Sequence, residues 1–224
     1  MLLAIDTATR TLSLALHDGQ RLISEFSWQT ANAHTVELTP AVIELCGRAG
    51  IVTRAVTHLA VAQGPGSFSG LRIGIGFAKG LALALAVPLI PIPTLDIVAA
   101  AQPGAKGTLI AVAQVGRGRV CAAGFQWKKN TWQAASAVEI VEWSALLASI
   151  STTGETLLAG EIDDDAHDLI TACQKPIQLA RPSLALRRAG VLADLAWARA
   201  ASFADADPAA VVPLYVNQAG LPHA

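Results

Sequence analysis

The segment Gly64-Pro65-Gly66-Ser67-Phe68-Ser69-Gly70-Leu71-Arg72-Ile73-Gly74 constrains this chain more than any other. It follows a short apolar run at 57–63 that reads as a strand, and it opens an apolar stretch to about residue 86 that reads as a helix. A glycine turn between strand and helix presents backbone N–H groups at a helix N-terminus, where an anion can bind. The spacing excludes the two common nucleotide loops. No Gly-Lys-Ser/Thr ending follows, and the third glycine of G-x-G-x-x-G comes one residue late. What remains locally is a tight turn capped by Ser67. Within the helix, Gly70, Gly74 and Ala78 fall at i, i+4 and i+8, and Gly76, Gly80 and Ala84 repeat the pattern. Each helical glycine costs about 1 kcal/mol relative to alanine, so close approach of another element must compensate. The sheet beneath, another helix of the chain or a partner helix would serve, and a partner is expected on at least one face.

Around this segment the elements fall in a definite order. Residues 2–6 are apolar and end at Asp6-Thr7. Residues 11–17 alternate, Asp18-Gly19 supplies a hairpin turn, and 21–27 alternate again, which gives a three-stranded antiparallel meander. A helix is expected over 33–48, with Pro40 bending it or delaying its start, then the strand at 57–63, the glycine helix at 67–86, a strand at 87–92 and a helix starting near Thr94. The second half repeats this order more loosely. Strands are expected at 108–115, 119–126, 132–140, 156–160 and 176–180, and helices at 142–150, 163–173 and 183–201. Two tandem βββαβα-type units of an α/β chain resemble the actin/Hsp70/sugar-kinase (ASKHA) architecture. The expected domains are 1–102 and 103–224, joined near Gln102-Pro103-Gly104, with the helix near 183–201 able to pack back on the first. A single doubly wound α/β domain is the alternative, and the opening meander argues against it.

Composition narrows the function. The 224 residues are 53% hydrophobic and 15% charged, the opposite of a disordered chain. A surface so poor in charge suits either a partner-covered face or simply an alanine-rich chain. A net charge of −1 does not suit a protein that grips nucleic acid alone. The basic pairs Lys128-Lys129 and Arg187-Arg188 read as solvated surface. Cys46, Cys121 and Cys173 are far apart and odd in number, which fits free thiols in a reducing compartment. The N-terminus has no basic stretch before its apolar run, so it does not read as a signal peptide. The apolar stretch from Leu81 to Ala101 nears membrane-spanning length, but Pro88, Pro91, Pro93 and Asp96 break it. A cytoplasmic, non-membrane protein is expected.

Candidate chemistry is sparse. The histidines, His17, His34, His58, His167 and His223, form no metal-spaced pair. Asp163-Asp164-Asp165 opens a helix and complements its dipole. Asp6-Thr7-Ala8-Thr9 turns between two strands where the actin/Hsp70 fold meets nucleotide phosphate, but no glycine follows Asp6. Asp6, Thr7 and Thr9 therefore read as structural, or as a nucleotide-proximal remnant.

The glycine segment together with Ala78-Lys79-Gly80-Leu81-Ala82 closely resembles the TsaB (YeaZ) family, earlier grouped with glycoproteases. Ala4-Ile5-Asp6-Thr7-Ala8-Thr9, Pro88-Leu89 and Pro213-Leu214-Tyr215-Val216 are similar too. Ser69 stands where the family usually has threonine, which keeps the hydroxyl. Val115-Gly116-Arg117-Gly118-Arg119-Val120 resembles a strand turn of the family but lacks its aspartate and glutamate. The resemblance implies a non-catalytic scaffold that activates a TsaD-like catalytic subunit, with a TsaE-like ATPase as a further partner, in threonylcarbamoyladenosine synthesis on tRNA. It implies no metal and no cofactor of its own, with ATP or ADP at the partner interface, and tRNA contacted only indirectly. It places a helical-bundle contact, with TsaD or a second copy as a homodimer, on the helices at 33–48 and 67–86. His34, Leu38, Leu71, Gly74, Ile75 and Lys79 are the contact positions expected there. The competing readings are an autonomous ATPase or small-molecule kinase of the same fold, and a metallopeptidase-like glycoprotease.

Overall fold

A computed structural model of the chain describes residues 1–31, 33–116 and 118–216. It divides into two compact units. The first joins Met1–Ile97 to Arg187–Leu214, and the second consists of Val98–Leu186, with Tyr215 and Val216. The division falls short of the expected junction at 102–104, and the second domain is not the continuous 103–224. Residues 187–214 return to the first unit.

The first unit opens on an antiparallel meander of β1 (Leu2–Asp6), β2 (Thr11–His17) and β3 (Leu22–Gln29). After α1 (His34–Arg48), β4 (His58–Gly64) joins β1 in parallel; after α2 (Phe68–Leu85), β5 (Leu89–Pro93) joins β4. The order is β3-β2-β1-β4-β5. Every residue of β1 and β2 is buried, as expected of strands covered on both faces. β5 is an edge strand, which tolerates Pro91 and Pro93. α1 runs through Pro40 and buries Leu38, Val42, Leu45 and Cys46. α2 starts at Ser67, whose hydroxyl accepts from Gly70 N at 3.3 Å, and ends at Ala86 in the left-handed conformation. By length and composition α2 could cross a membrane. It packs instead by Gly70, Leu71, Gly74, Ile75, Ala78 and Ala82. The first unit's leading segment ends within α3 (Thr94–Ala100).

In the second unit, β6 (Thr108–Gly116) and β7 (Arg119–Lys128) form a long hairpin. The single strand expected at 132–140 is two, β8 (Thr131–Ala134) and β9 (Glu139–Glu142), both paired to β7. Between them the Ser136 hydroxyl takes Gly124 N at 2.8 Å, and the chain steps along β7 rather than continuing straight. Then follow α4 (Trp143–Ser149), β10 (Thr156–Gly160), α5 (Asp164–Ala172), β11 (Ile177–Leu179) and the short α6 (Pro182–Ala185). Strand order is β11-β10-β6-β7-β8. Asp163 caps α5, its carboxylate accepting from Ala166 N at 2.9 Å.

The helix expected over 183–201 is interrupted. Leu186 and Arg188 are extended, and α7 (Ala189–Arg199) begins after them. α7 lies on the first unit's sheet. Ser13 Oγ accepts from Ala189 N and His17 Nε2 lies 3.1 Å from Asp194, so α7 covers the odd-numbered face of β2. Strand side chains alternate, so α1 and α2, which touch each other, cover the opposite face.

Candidate functional site

The chemistry-bearing residues converge where β1 and β4 end. In the Asp6 turn, the Asp6 carboxylate accepts from Ala8 N at 2.9 Å. The Thr7 hydroxyl donates to Gly70 O at 2.7 Å, and Ser67 N donates to Ala8 O at 2.6 Å. A Cβ at Gly66 would overlap Ala8 O, one at Gly70 would overlap Thr7 O, and one at Gly74 would overlap Thr7 Oγ1. Gly64, at φ +112°, would place a Cβ 2.8 Å from Leu214 O, where Leu214 N donates back to Gln63 O. Four glycines of the signature are thus explained by the chain's own close approaches. The expectation that Gly74 meets a partner is corrected on that ground. At the start of α2 the N–H groups of Ser67, Gly70 and Leu71 are taken by Ala8 O, Ser67 Oγ and Ser67 O.

Asp6 is held by a residue that sequence reasoning misread. Arg187 Nε donates to Asp6 Oδ2 at 2.6 Å, and its Nη2 reaches Asp6 Oδ1 at 3.3 Å and Thr9 Oγ1 at 2.8 Å. Asp6 is 1% exposed and Arg187 2%. Arg187 is therefore core, not solvated surface. Arg188 beside it bonds to Glu25. Asp6, Thr7 and Thr9 do come together, but a guanidinium fills the position in front of the carboxylate. A planar fork matches a carboxylate and an adjacent hydroxyl at once, which a lysine could not do. The helix is interrupted by extended backbone at Leu186 and Arg188, and Arg187 between them is buried. Asp6 and Arg187 are 181 positions apart, and no spacing links them.

The other contact candidates shift as well. His34, Leu38, Leu71 and Ile75 are between 1% and 5% exposed, so the first unit's own core has used them; Lys79 alone of the six is half-buried. The free stripes lie on the outer sides of the same helices. On α1, Val36 is 70% and Ile43 63% exposed, with Pro40 exposed between them. On α2, Gly76 and Gly80 have open space around them and Leu83 is 61% exposed. Phe68 is also exposed, with the Arg72 guanidinium 3.7 Å over its ring. A groove of about 590 Å³ between β3 and α1, lined by Phe26, Trp28, Val36 and Pro40, continues the α1 stripe. Periodicity showed two small-residue stripes on α2; it could not show which of them faced inward.

Elsewhere, no group of three or more His, Cys, Asp or Glu residues among the described residues is placed to hold a metal ion. Burial pushes the Cys121 thiol up to about 12 and raises that of Cys46. In the strand turn at 115–120, Gly116 and Gly118 have φ of +85° and +68°, and Arg117 lies outside the described residues.

Residues 28–205 match the family model described as TsaD: tRNA N6-adenosine threonylcarbamoyltransferase. The tRNA threonylcarbamoyladenosine biosynthesis protein TsaB of Bacillus subtilis (strain 168) is 33% identical over 129 residues, 58% of this chain and 56% of that protein. The sequence matches span about half the length of the curated relatives. YeaZ from Pseudomonas aeruginosa superposes with a TM-score of 0.77 at 27% identity, over 96% of this chain and 99% of that one. The ethanolamine utilization protein EutJ from Carboxydothermus hydrogenoformans, at 12% identity and a TM-score of 0.51 over 85% of this chain and 88% of that one, is a likeness of fold alone. The fold is actin/Hsp70-like, as the element order led one to expect. Sealed turn, glycine helix and whole-chain superposition agree: the chain belongs to the TsaD-type threonylcarbamoyltransferase family and, within it, to the TsaB (YeaZ) family.

Proposed function

We propose that this chain is a non-catalytic scaffold subunit in the cytoplasmic synthesis of threonylcarbamoyladenosine on tRNA. It binds a TsaD-like transferase through the outer stripes of α1 and α2 and so completes an active complex. The observation that carries this reading is the contrast between the two sides of α2. The Gly70–Gly74 side is sealed on the chain's own Asp6 turn, whereas Gly76 and Gly80 stand open beside exposed Leu83. Open helical glycines let a partner backbone approach, and exposed apolar side chains supply area to bury. A second copy can use the same stripes when the chain is alone. ATP or ADP belongs at the partner interface, and a TsaE-like ATPase is a further member of the complex.

The alternatives fare worse. An autonomous ATPase or kinase of this fold would need Asp6 for a metal-bound phosphate, and Arg187 neutralises that carboxylate from within. A peptidase would need a ligand set that the described residues do not bring together.

Omission decides the matter. The purified chain is mixed with a TsaD-like protein, a TsaE-like ATPase, tRNA, ATP and threonylcarbamoyl-adenylate, and modified adenosine is measured with each component left out. Product is expected only when this chain and the TsaD-like protein are both present. Product from this chain alone sinks the scaffold reading.

A further inference from the structure

The second unit carries a lysine-rimmed pocket that the scaffold role does not use. It occupies about 450 Å³ between the loop at 104–107 and the β7–β8 hairpin. Lys106 and Lys128 stand at its edges, and Trp127 and Gln126 line it. Lys129 follows at the hairpin tip, in the left-handed conformation with Asn130. Lys106, Lys128 and Lys129 are three of the chain's five lysines. All three are exposed, and among the described residues none pairs with a carboxylate. No acidic residue lines the pocket. Elsewhere the same unit is acidic, with Glu139, Glu142, Glu161 and Asp163-Asp164-Asp165. Arg119, Lys175 and Arg181 of the same unit lie outside the pocket lining, and Glu155 packs beside Gly107 of the pocket loop.

The floor is rigid. Trp127 and Trp132 are cross-strand partners whose rings meet edge to face, with centroids 5.4 Å apart. Trp132 Nε1 donates to Gln102 O at 3.2 Å, which ties the hairpin to the loop before Pro103. Gly104 lies against the Trp127 ring so closely that a Cβ there would overlap the indole. The lining thus sets the Trp127 indole beside Lys106 and Lys128, with Lys129 next to them at the hairpin tip, which matches what a flexible nucleic-acid strand offers: phosphates for the cations and flat, partly apolar nucleosides for the ring.

We infer that this pocket is a contact site for the sugar-phosphate backbone of RNA, and that it helps to seat the tRNA substrate. The inference rests on the scaffold reading for the identity of the RNA. Three lysines cannot hold a tRNA alone, so the main grip lies in other subunits, and this site adds to it. In sequence the pair Lys128-Lys129 looked like solvated surface. Its meaning changes once the fold adds Lys106 and the two tryptophans.

The test compares the wild-type chain with Lys106→Ala/Lys128→Ala/Lys129→Ala and with Trp127→Phe in the reconstituted complex. The triple variant should co-elute normally with the TsaD-like protein, while its KM for tRNA rises about tenfold at moderate salt. Its log–log salt slope should shrink by about 2 to 3, the counterions of three phosphates. Photocrosslinking of tRNA to the chain should label the 126–132 peptide, whether or not the complex turns over. An unchanged KM and slope in a working complex, or crosslinks confined to other segments, overturn the site and leave the scaffold reading standing. Loss of co-elution in the triple variant also overturns it, because an acidic protein is then the occupant. A wild-type complex that makes no product counts against the scaffold reading, and the crosslink map still decides the RNA site.

Discussion

Arg187 gives Asp6 its counter-charge and Thr9 its donor, and all three are out of water. Removing the arginine strands a buried carboxylate. Arg187→Ala should lower the unfolding free energy by about 3–5 kcal/mol, read from denaturant midpoints, and Arg187→Lys should recover only part of it because one ammonium cannot span both acceptors. The signature glycines should divide by sign. Gly70→Ala and Gly74→Ala drive a methyl into Thr7 and destabilise the chain, whereas Gly76→Ala meets nothing and stabilises it by about 0.5–1 kcal/mol through helix propensity. Thermal unfolding of the four purified chains checks this. Thiol labelling offers a third reading at this scale. Cys46 and Cys121 are buried with raised thiol pKa values, so at pH 8 only half-buried Cys173 should react before unfolding. Asp6 was legible in the sequence as a carboxylate at a strand end. Arg187 was not, because a buried ion pair between distant positions leaves no periodic trace.

At the scale of elements, hydrophobic patterning located nearly every strand and helix because β1 and β4 are short apolar runs, β2 alternates, and α1 and α2 have clear stripes. It failed around one buried charged side chain. The apolar spacing of 183–201 is helical throughout, yet the chain is extended at Leu186 and Arg188, with buried Arg187 between them. It failed also at 132–140, where a step along β7 splits one strand into two. The phase of α2 was equally illegible, since both stripes are small and apolar. The start of β4 carries a pH effect. Burial, and then the Met1 α-ammonium, hold the His58 imidazole below its ordinary value, against Trp197 at 4.8 Å. The unfolded chain therefore binds that proton at higher pH than the folded one. This share of stability is complete above the ordinary imidazole value and is lost as pH falls through the lowered one. His58→Gln should flatten that part of a stability–pH curve, read from denaturant midpoints across the acid range.

At the scale of the molecule, the tandem order of elements announced two related units. The helix expected near 183–201 was seen as able to pack back on the first, and residues 187–214 do return to it, placing α7 on the face opposite α1 and α2. That return leaves the outer side of α1 and α2 as the sheet's uncovered helical layer. On the proposed reading the partner face is this outer side, since Leu38, Leu71, Gly74 and Ile75 are buried within the first unit. The direct measurement is the affinity of the purified chain for a TsaD-like partner, by calorimetry, for wild type, Gly76→Leu and Ile43→Asp, with thermal unfolding of each chain alone. Binding should weaken by about tenfold or more in both variants while the isolated chains stay as stable as wild type. Wild-type affinity in both folded variants contradicts the assignment of this face.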